Sequence, residues 1–187
     1  PKILDTLKKH NVKATFFLIG SSCVKHPEIV KRIHLEGHAI GCHTFSHHYL
    51  FPFYSLKKIK QELIKTNTLI KSITSKEVSL FRPPFGVTNP IMKIALDNLN
   101  MRCVGWDTRS FDTIISNPKK LYKRVVKKIQ QGGSIILFHD RCKSTLGILE
   151  DTVVYCLDRD RNFITINRET KAIKNYMWED MFDQNPN

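Results

Sequence analysis

Short apolar runs of strand length alternate with helical segments along this 187-residue chain, and that alternation limits the folds open to it. The runs are Ala14–Ile19, His38–Cys42, Val78–Phe81, Arg102–Trp106, Ser134–Phe138 and Phe163–Ile166. Ala14–Ile19 is apolar almost without interruption, the pattern of a strand covered on both faces. Between the runs lie segments with helical start and stop signals. Pro27 opens one that Gly37 ends, and Ser55 caps a long one carrying Leu56, Ile59, Leu63, Ile70 and Ile73. Asn89-Pro90 and Asn117-Pro118 begin two more, the second broken by Gly132-Gly133, and a last helix is expected over about 146–157. Strand and helix in alternation specify an α/β protein with a parallel sheet and right-handed crossovers, either open or closed into a barrel. The first helical segment, residues 1–10, has no strand before it, although every later helix does. By phase, a first strand is missing, and the chain reads as truncated at Pro1.

The four motifs with chemical potential each follow the end of a predicted strand. They are His43-Thr44-Phe45-Ser46-His47, Arg82-Pro83-Pro84-Phe85-Gly86, Gly105-Trp106-Asp107 and Leu137-Phe138-His139-Asp140. In a parallel sheet the carboxyl ends of the strands share one face, where ligands bind. Two imidazoles four residues apart, on a segment coiled through a turn, can converge on a divalent metal that draws its remaining ligands from elsewhere. Several polar motifs arriving at one rim make an enzyme the leading class.

Composition closes off other classes. Thirty Lys and Arg against 17 Asp and Glu give a net charge of +13. The cations are spread along helix faces (Lys57-Lys58, Lys119-Lys120, Lys123-Arg124, Lys127-Lys128), as solvated faces are. A nucleic-acid partner is not expected, because it would leave the rim motifs without a purpose. Five cysteines with no Cys-x-x-Cys argue against a disulfide framework or a structural zinc site, and Cys42 and Cys103 read as buried thiols. No apolar run approaches the roughly 20 residues of a membrane helix.

In order and spacing these motifs resemble those of the polysaccharide deacetylases, carbohydrate esterase family four. The resemblance rests on Ala14–Gly20, Gly37-His38 with His43–His47, Phe81–Gly86, Gly105-Trp106 and Leu137–Asp140, and covers about residues 1–167. It implies a distorted parallel (β/α) barrel that removes N-acetyl groups from a glycan such as peptidoglycan or a chitin-like oligomer. The cofactor implied is a divalent metal, zinc before cobalt, nickel or manganese. Residues 1–170 would form the catalytic domain and 171–187 a tail that either packs as a closing helix through Trp178 and Phe182 or frays. A cell-envelope or secreted location is implied as well.

By the same resemblance His43 and His47 are metal ligands, with Thr44 and Ser46 orienting them or meeting acetate. His139 is the general acid for the leaving amine. Arg82 orients a carboxylate, and Asp112 or Asp107 partners the acid histidine, since Arg109 stands where the family often has an acid. Trp106, Leu137 and Pro84 line the acetyl pocket. Phe85, where the family usually has Tyr, offers its backbone N–H to the oxyanion. The family's Thr-Phe-Asp-Asp motif, source of its general base and third ligand, has no counterpart, because no Asp-Asp pair occurs in the sequence. The resemblance leaves two alternatives, an O-acetyl (xylan-type) esterase and a catalytically silent glycan-binding barrel.

Overall fold

A computed structural model describes residues 1–167, which sort into two compact units. One comprises residues 15–105 with 165–167, the other residues 1–14 with 106–164.

The first unit is a four-stranded parallel sheet with helices. Its strands are β1 (Thr15–Leu18), β2 (Ala39–Cys42), β3 (Leu80–Phe81) and β4 (Arg102–Cys103), in the order β1-β2-β3-β4. Because spatial order follows chain order and every pair is parallel, each connection is a crossover. Register places Leu18, Cys42, Phe81 and Cys103 in one row across the sheet. The residues just past that row therefore share one rim, and the ladder runs one step into them. His43 N donates to Leu18 O at 2.9 Å, Arg82 N to Cys42 O at 3.0 Å, and Val104 N to Phe81 O at 2.7 Å.

The crossovers contain α2 (Gly20–Lys25) and α3 (Pro27–Leu35), then α4 (Leu56–Thr74), then α5 (Pro90–Asn98). Ser55 caps α4 by accepting from Lys58 N, and Asn89 caps α5 by accepting from Met92 N at 2.8 Å, with Pro90 at the first helical position. Ile59, Leu63 and Ile70 recur at helical spacing on one face of α4. They are buried in a cluster with Phe51, Phe81, Met92 and Ala95.

The second unit holds α1 (Lys2–Lys9), a parallel pair β5 (Thr108–Arg109) and β6 (Ile136–Leu137), α6 (Pro118–Gln130) and α7 (Lys143–Leu157). Leu121, Val125 and Ile129 of α6 pack with Ile148 and Cys156 of α7.

The α/β class and the parallel pairing expected from the alternation are those observed. Four local expectations are corrected. β4 stops at Cys103, and a separate strand forms at Thr108–Arg109. Phe163–Ile166 forms no strand; Ile166 N donates instead to Thr15 Oγ1 at 2.8 Å. Helix α2 has no counterpart among the expected helices, and α7 begins three residues early, at Lys143. The C-terminal tail, with Trp178 and Phe182, lies outside the described residues. No described helix is long and apolar enough to cross a membrane, and all five cysteines are free thiols. Cys42 is fully buried, and burial pushes its thiol up to about 12.

Candidate active site

Chemistry collects at two places, one in each unit. At the rim of the four-stranded sheet, the chain leaves β2 through a tight loop with two left-handed backbones, Thr44 (φ 66°) and His47 (φ 49°). That conformation is costly for residues other than glycine, so the loop has to be held from outside itself. Several contacts hold it. The Thr44 hydroxyl, fully buried, accepts from His47 N at 3.0 Å. The first amides of α2 reach the loop's carbonyls, Gly20 N to Thr44 O and Ser21 N to Phe45 O, both at 2.9 Å. A side chain at Gly20 would collide with Phe45 and Thr66, which accounts for glycine there.

The strongest clamp is Glu62 of α4. Its Oε2 accepts from Phe45 N at 2.9 Å, Ser46 N at 2.8 Å and Ser46 Oγ at 3.0 Å. The outcome is that the imidazoles of His43 and His47 stand 4.8 Å apart, centroid to centroid, at 61°. Nδ1 of His43 donates to the Arg82 carbonyl at 2.7 Å. A carbonyl can only accept, so in neutral His43 the proton sits on Nδ1 and the lone pair on Nε2, the tautomer a metal ligand requires. Two imidazoles so arranged suit a zinc-like cation. Among the described residues they are not joined by a third His, Cys, Asp or Glu into a complete ligand group.

Arg82 is buried and stacked on Phe17, its guanidinium carbon 4.1 Å from the ring centroid. It donates to the carbonyls of Val104 at 3.2 Å and Gly105 at 2.8 Å, and loss of solvent lowers its pKa to about 10. Pro84 is buried, and Phe85, left-handed at φ 61°, packs edge-on against His47 at 5.1 Å with half its surface exposed.

In the second unit His139 follows β6, and Asp112 follows β5 at a short remove. Nδ1 of His139 donates to Asp112 Oδ1 at 2.8 Å, and its amide donates to Oδ2 at 2.6 Å. Thr145 Oγ1 adds a third bond to Oδ2 at 2.6 Å, while Ser144 Oγ holds the Asp112 carbonyl at 3.0 Å. Burial of the carboxyl would push its pKa up. The hydrogen bonds from His139 and Thr145, with the imidazole's charge, outweigh it and bring the pKa down to about 2. Asp112 is thus an ionised, immobile acceptor behind a half-exposed imidazole. Of the two acids the sequence offered, it is Asp112 that meets His139. Asp107 instead accepts from Ser134 N, Ser134 Oγ and Ile135 N, pinning the turn before β6. Leu137 lies in β6 and is half-buried, as is Trp106.

Two expectations follow from these contacts. Glu62→Ala removes the acceptor for three donors, so it should lower stability by about 1–3 kcal/mol. If the His43–His47 pair holds a divalent metal, the substitution should also weaken that metal's binding by about 10–100-fold, the usual effect of losing a group that supports a ligand. Thermal denaturation and a zinc titration read the two effects. Asp112 has a folded pKa of about 2 against an ordinary 3.8, so its contribution is present above pH 4 and lost as pH falls towards 2. Asp112→Asn should therefore narrow the stability gap from wild type by about 2 kcal/mol between pH 5 and pH 2, read by urea unfolding.

Comparison with known proteins gives concordant matches. A family model described as polysaccharide deacetylase matches residues 1–104. The peptidoglycan-N-acetylglucosamine deacetylase PgdA of Listeria monocytogenes is 33% identical over 167 residues, 89% of this chain and 35% of its own length. The peptidoglycan-N-acetylmuramic acid deacetylase PdaA of Bacillus subtilis is 34% identical over 157 residues, covering 82% of this chain and 59% of the relative. Among solved structures, a carbohydrate esterase family four pseudoenzyme from Bacillus anthracis superposes with a TM-score of 0.82 at 31% identity. That match covers 89% of this chain and 58% of the other. The chain thus spans about a third of the Listeria protein's length and less than two thirds of the Bacillus subtilis one.

Proposed function

The chain belongs to the polysaccharide deacetylase family, and we propose that it hydrolyses N-acetyl groups from a glycan of the peptidoglycan or chitin type. The reading includes a divalent metal, zinc, held in part by His43 and His47. The observation that carries it is the His43–His47 pair, with rings 4.8 Å apart and His43 Nδ1 committed to a backbone carbonyl. When bound, the metal supplies Lewis-acid polarisation of the amide carbonyl and a more acidic water.

The protein's own groups take the remaining parts. His139, its Nδ1 proton directed to Asp112, carries the transferable proton on Nε2 and delivers it to the leaving amine nitrogen. Ionised Asp112 fixes the ring and stabilises the imidazolium before transfer. The Phe85 amide donates to the oxygen that gains charge as the carbonyl is attacked. By the family resemblance Leu137, Trp106 and Pro84 are assigned to the lining around the acetyl methyl, and Arg82 holds the chain segment that carries the carbonyl partner of His43. The reading assigns no general base within these 187 residues, which contain no Asp-Asp pair. Its natural setting is the cell envelope, where such glycans lie.

A second reading, a silent glycan-binding fold, is favoured by the pseudoenzyme among similar structures, and it holds if the full-length protein carries no Asp-Asp pair. Acetate release from N-acetylglucosamine oligomers and from O-acetylated xylan, measured with the full-length protein, separates the possibilities. Release from the first substrate supports the deacetylase, and release from the second alone supports the esterase. Glycan binding without release from either supports the silent fold.

A further inference from the structure

Next to Asp112 in the chain, the ring of Phe111 lies against two guanidiniums. The central carbon of Arg109 lies 4.9 Å, and that of Arg124 4.4 Å, from its centroid. Arg124 Nη2 also reaches the Arg109 carbonyl, at 3.5 Å. Two cations around one ring repel each other, and the ring's quadrupole compensates only in part.

No described carboxylate balances them. The two acids nearest in sequence are engaged elsewhere, Asp112 with His139 and Thr145, Asp107 with Ser134 and Ile135. From Thr113 to His139 the sequence has no Asp or Glu at all. Arg124 Nε is buried and meets no acceptor among the described residues, an expensive state for a charged donor. Finally, Phe111 has φ 65°, a left-handed backbone that is an outlier for a bulky side chain. The twist separates consecutive side chains: Phe111 joins the arginines while Asp112 points to His139. Strain, an unmet buried donor and unbalanced charge thus coincide one residue from the proposed acid's partner.

We propose that Arg109, Phe111 and Arg124 form a subsite for a carboxylate carried by the glycan, next to the sugar that is deacetylated. This deepens the deacetylase reading and rests on it for the reaction. The substrate class it names is an acidic amino-sugar polymer, with a carboxylate on a lactyl or peptidyl substituent, in preference to a neutral N-acetylglucosamine oligomer. The guanidinium fork matches a carboxylate with two parallel hydrogen bonds, which a lysine cannot supply.

The test uses the full-length protein and one acidic glycan fragment in two forms, with carboxylates intact and with carboxylates reduced to alcohols. Arg109→Gln should lower kcat/KM on the intact form by about 10–100-fold, through KM, as loss of a charge-assisted hydrogen bond does. On the reduced form the change should be less than about twofold, and Arg109→Lys should recover only part of the loss. An equal loss on both forms, or none on the intact one, overturns the subsite. Calorimetric binding of the same fragments gives a readout independent of turnover. Tighter binding of the intact form by wild type than by Arg109→Gln, with no acetate released, upholds the subsite and removes the deacetylase reading. Acetate release with no preference for the carboxylate does the reverse. Inorganic phosphate that competes as well as the glycan carboxylate would make the arginines an unselective anion trap and overturn the assignment.

Discussion

His139→Ala should cut acetate release by about 10²–10⁴-fold, the usual contribution of a general acid, while leaving metal content unchanged. The size follows from the leaving group. An amine expelled without a proton departs as a strongly basic anion, so the barrier rises unless a proton arrives as the bond breaks. On the proposed reading His139 supplies it, and Asp112, held ionised with a pKa of about 2, takes the Nδ1 proton's hydrogen bond and fixes the ring. Removing the imidazole leaves Asp112 Oδ1 without that donor, but the His139 amide and Thr145 remain on Oδ2. The variant should thus keep its fold, at a cost of about 1–3 kcal/mol. A thermal melt checks the fold, single-turnover kinetics reads the chemistry, and metal analysis reads the ligands. Unchanged turnover in a folded variant would take His139 out of the mechanism.

His43→Ala should have the larger effect. On the proposed reading it deletes a metal ligand, and zinc affinity should fall by more than the roughly 10–100-fold that removing a supporting group costs. Activity should fall with it, since the proposed reaction requires both histidines. Combined with His139→Ala, the loss should therefore be far less than the product of the single losses. The His43 contact to Arg82 is to a backbone carbonyl, so the variant leaves the buried Arg82 side chain and its bonds to Val104 and Gly105 in place. His47→Ala should behave alike. Retained stoichiometric zinc in either variant would mean that the metal, if any, sits elsewhere.

Much of this arrangement could be read from the residues, and the omissions have physical causes. Contiguous apolar runs mark the strands of a parallel sheet, so Thr15–Leu18 and Ala39–Cys42 stood out, although all four residues of the first are only half-buried rather than covered on both faces. The caps at Ser55, Asn89 and Asn117 were legible because capping is local chemistry. β5 was missed since Thr108–Arg109 is a two-residue strand in a polar stretch, paired only through tertiary structure. Phe163–Ile166 has the composition of a strand, yet its Ile166 amide bonds a threonine hydroxyl, and no ladder forms. Glu62 left no trace in the sequence: a glutamate on the exposed side of a helical pattern looks ordinary until three donors from a loop 16 and 17 residues earlier converge on it. The choice between Asp107 and Asp112 likewise depended on which carboxylate the Ser134–Ile135 turn consumed.

The most direct measurement is acetate release from peptidoglycan fragments and from N-acetylglucosamine oligomers by the full-length protein, before and after chelation and again after one equivalent of zinc is returned. Release that chelation abolishes and zinc restores is the expected result. Release indifferent to chelation, or none in a folded, zinc-loaded protein, would contradict the assignment of His43 and His47 to a metal-dependent deacetylase.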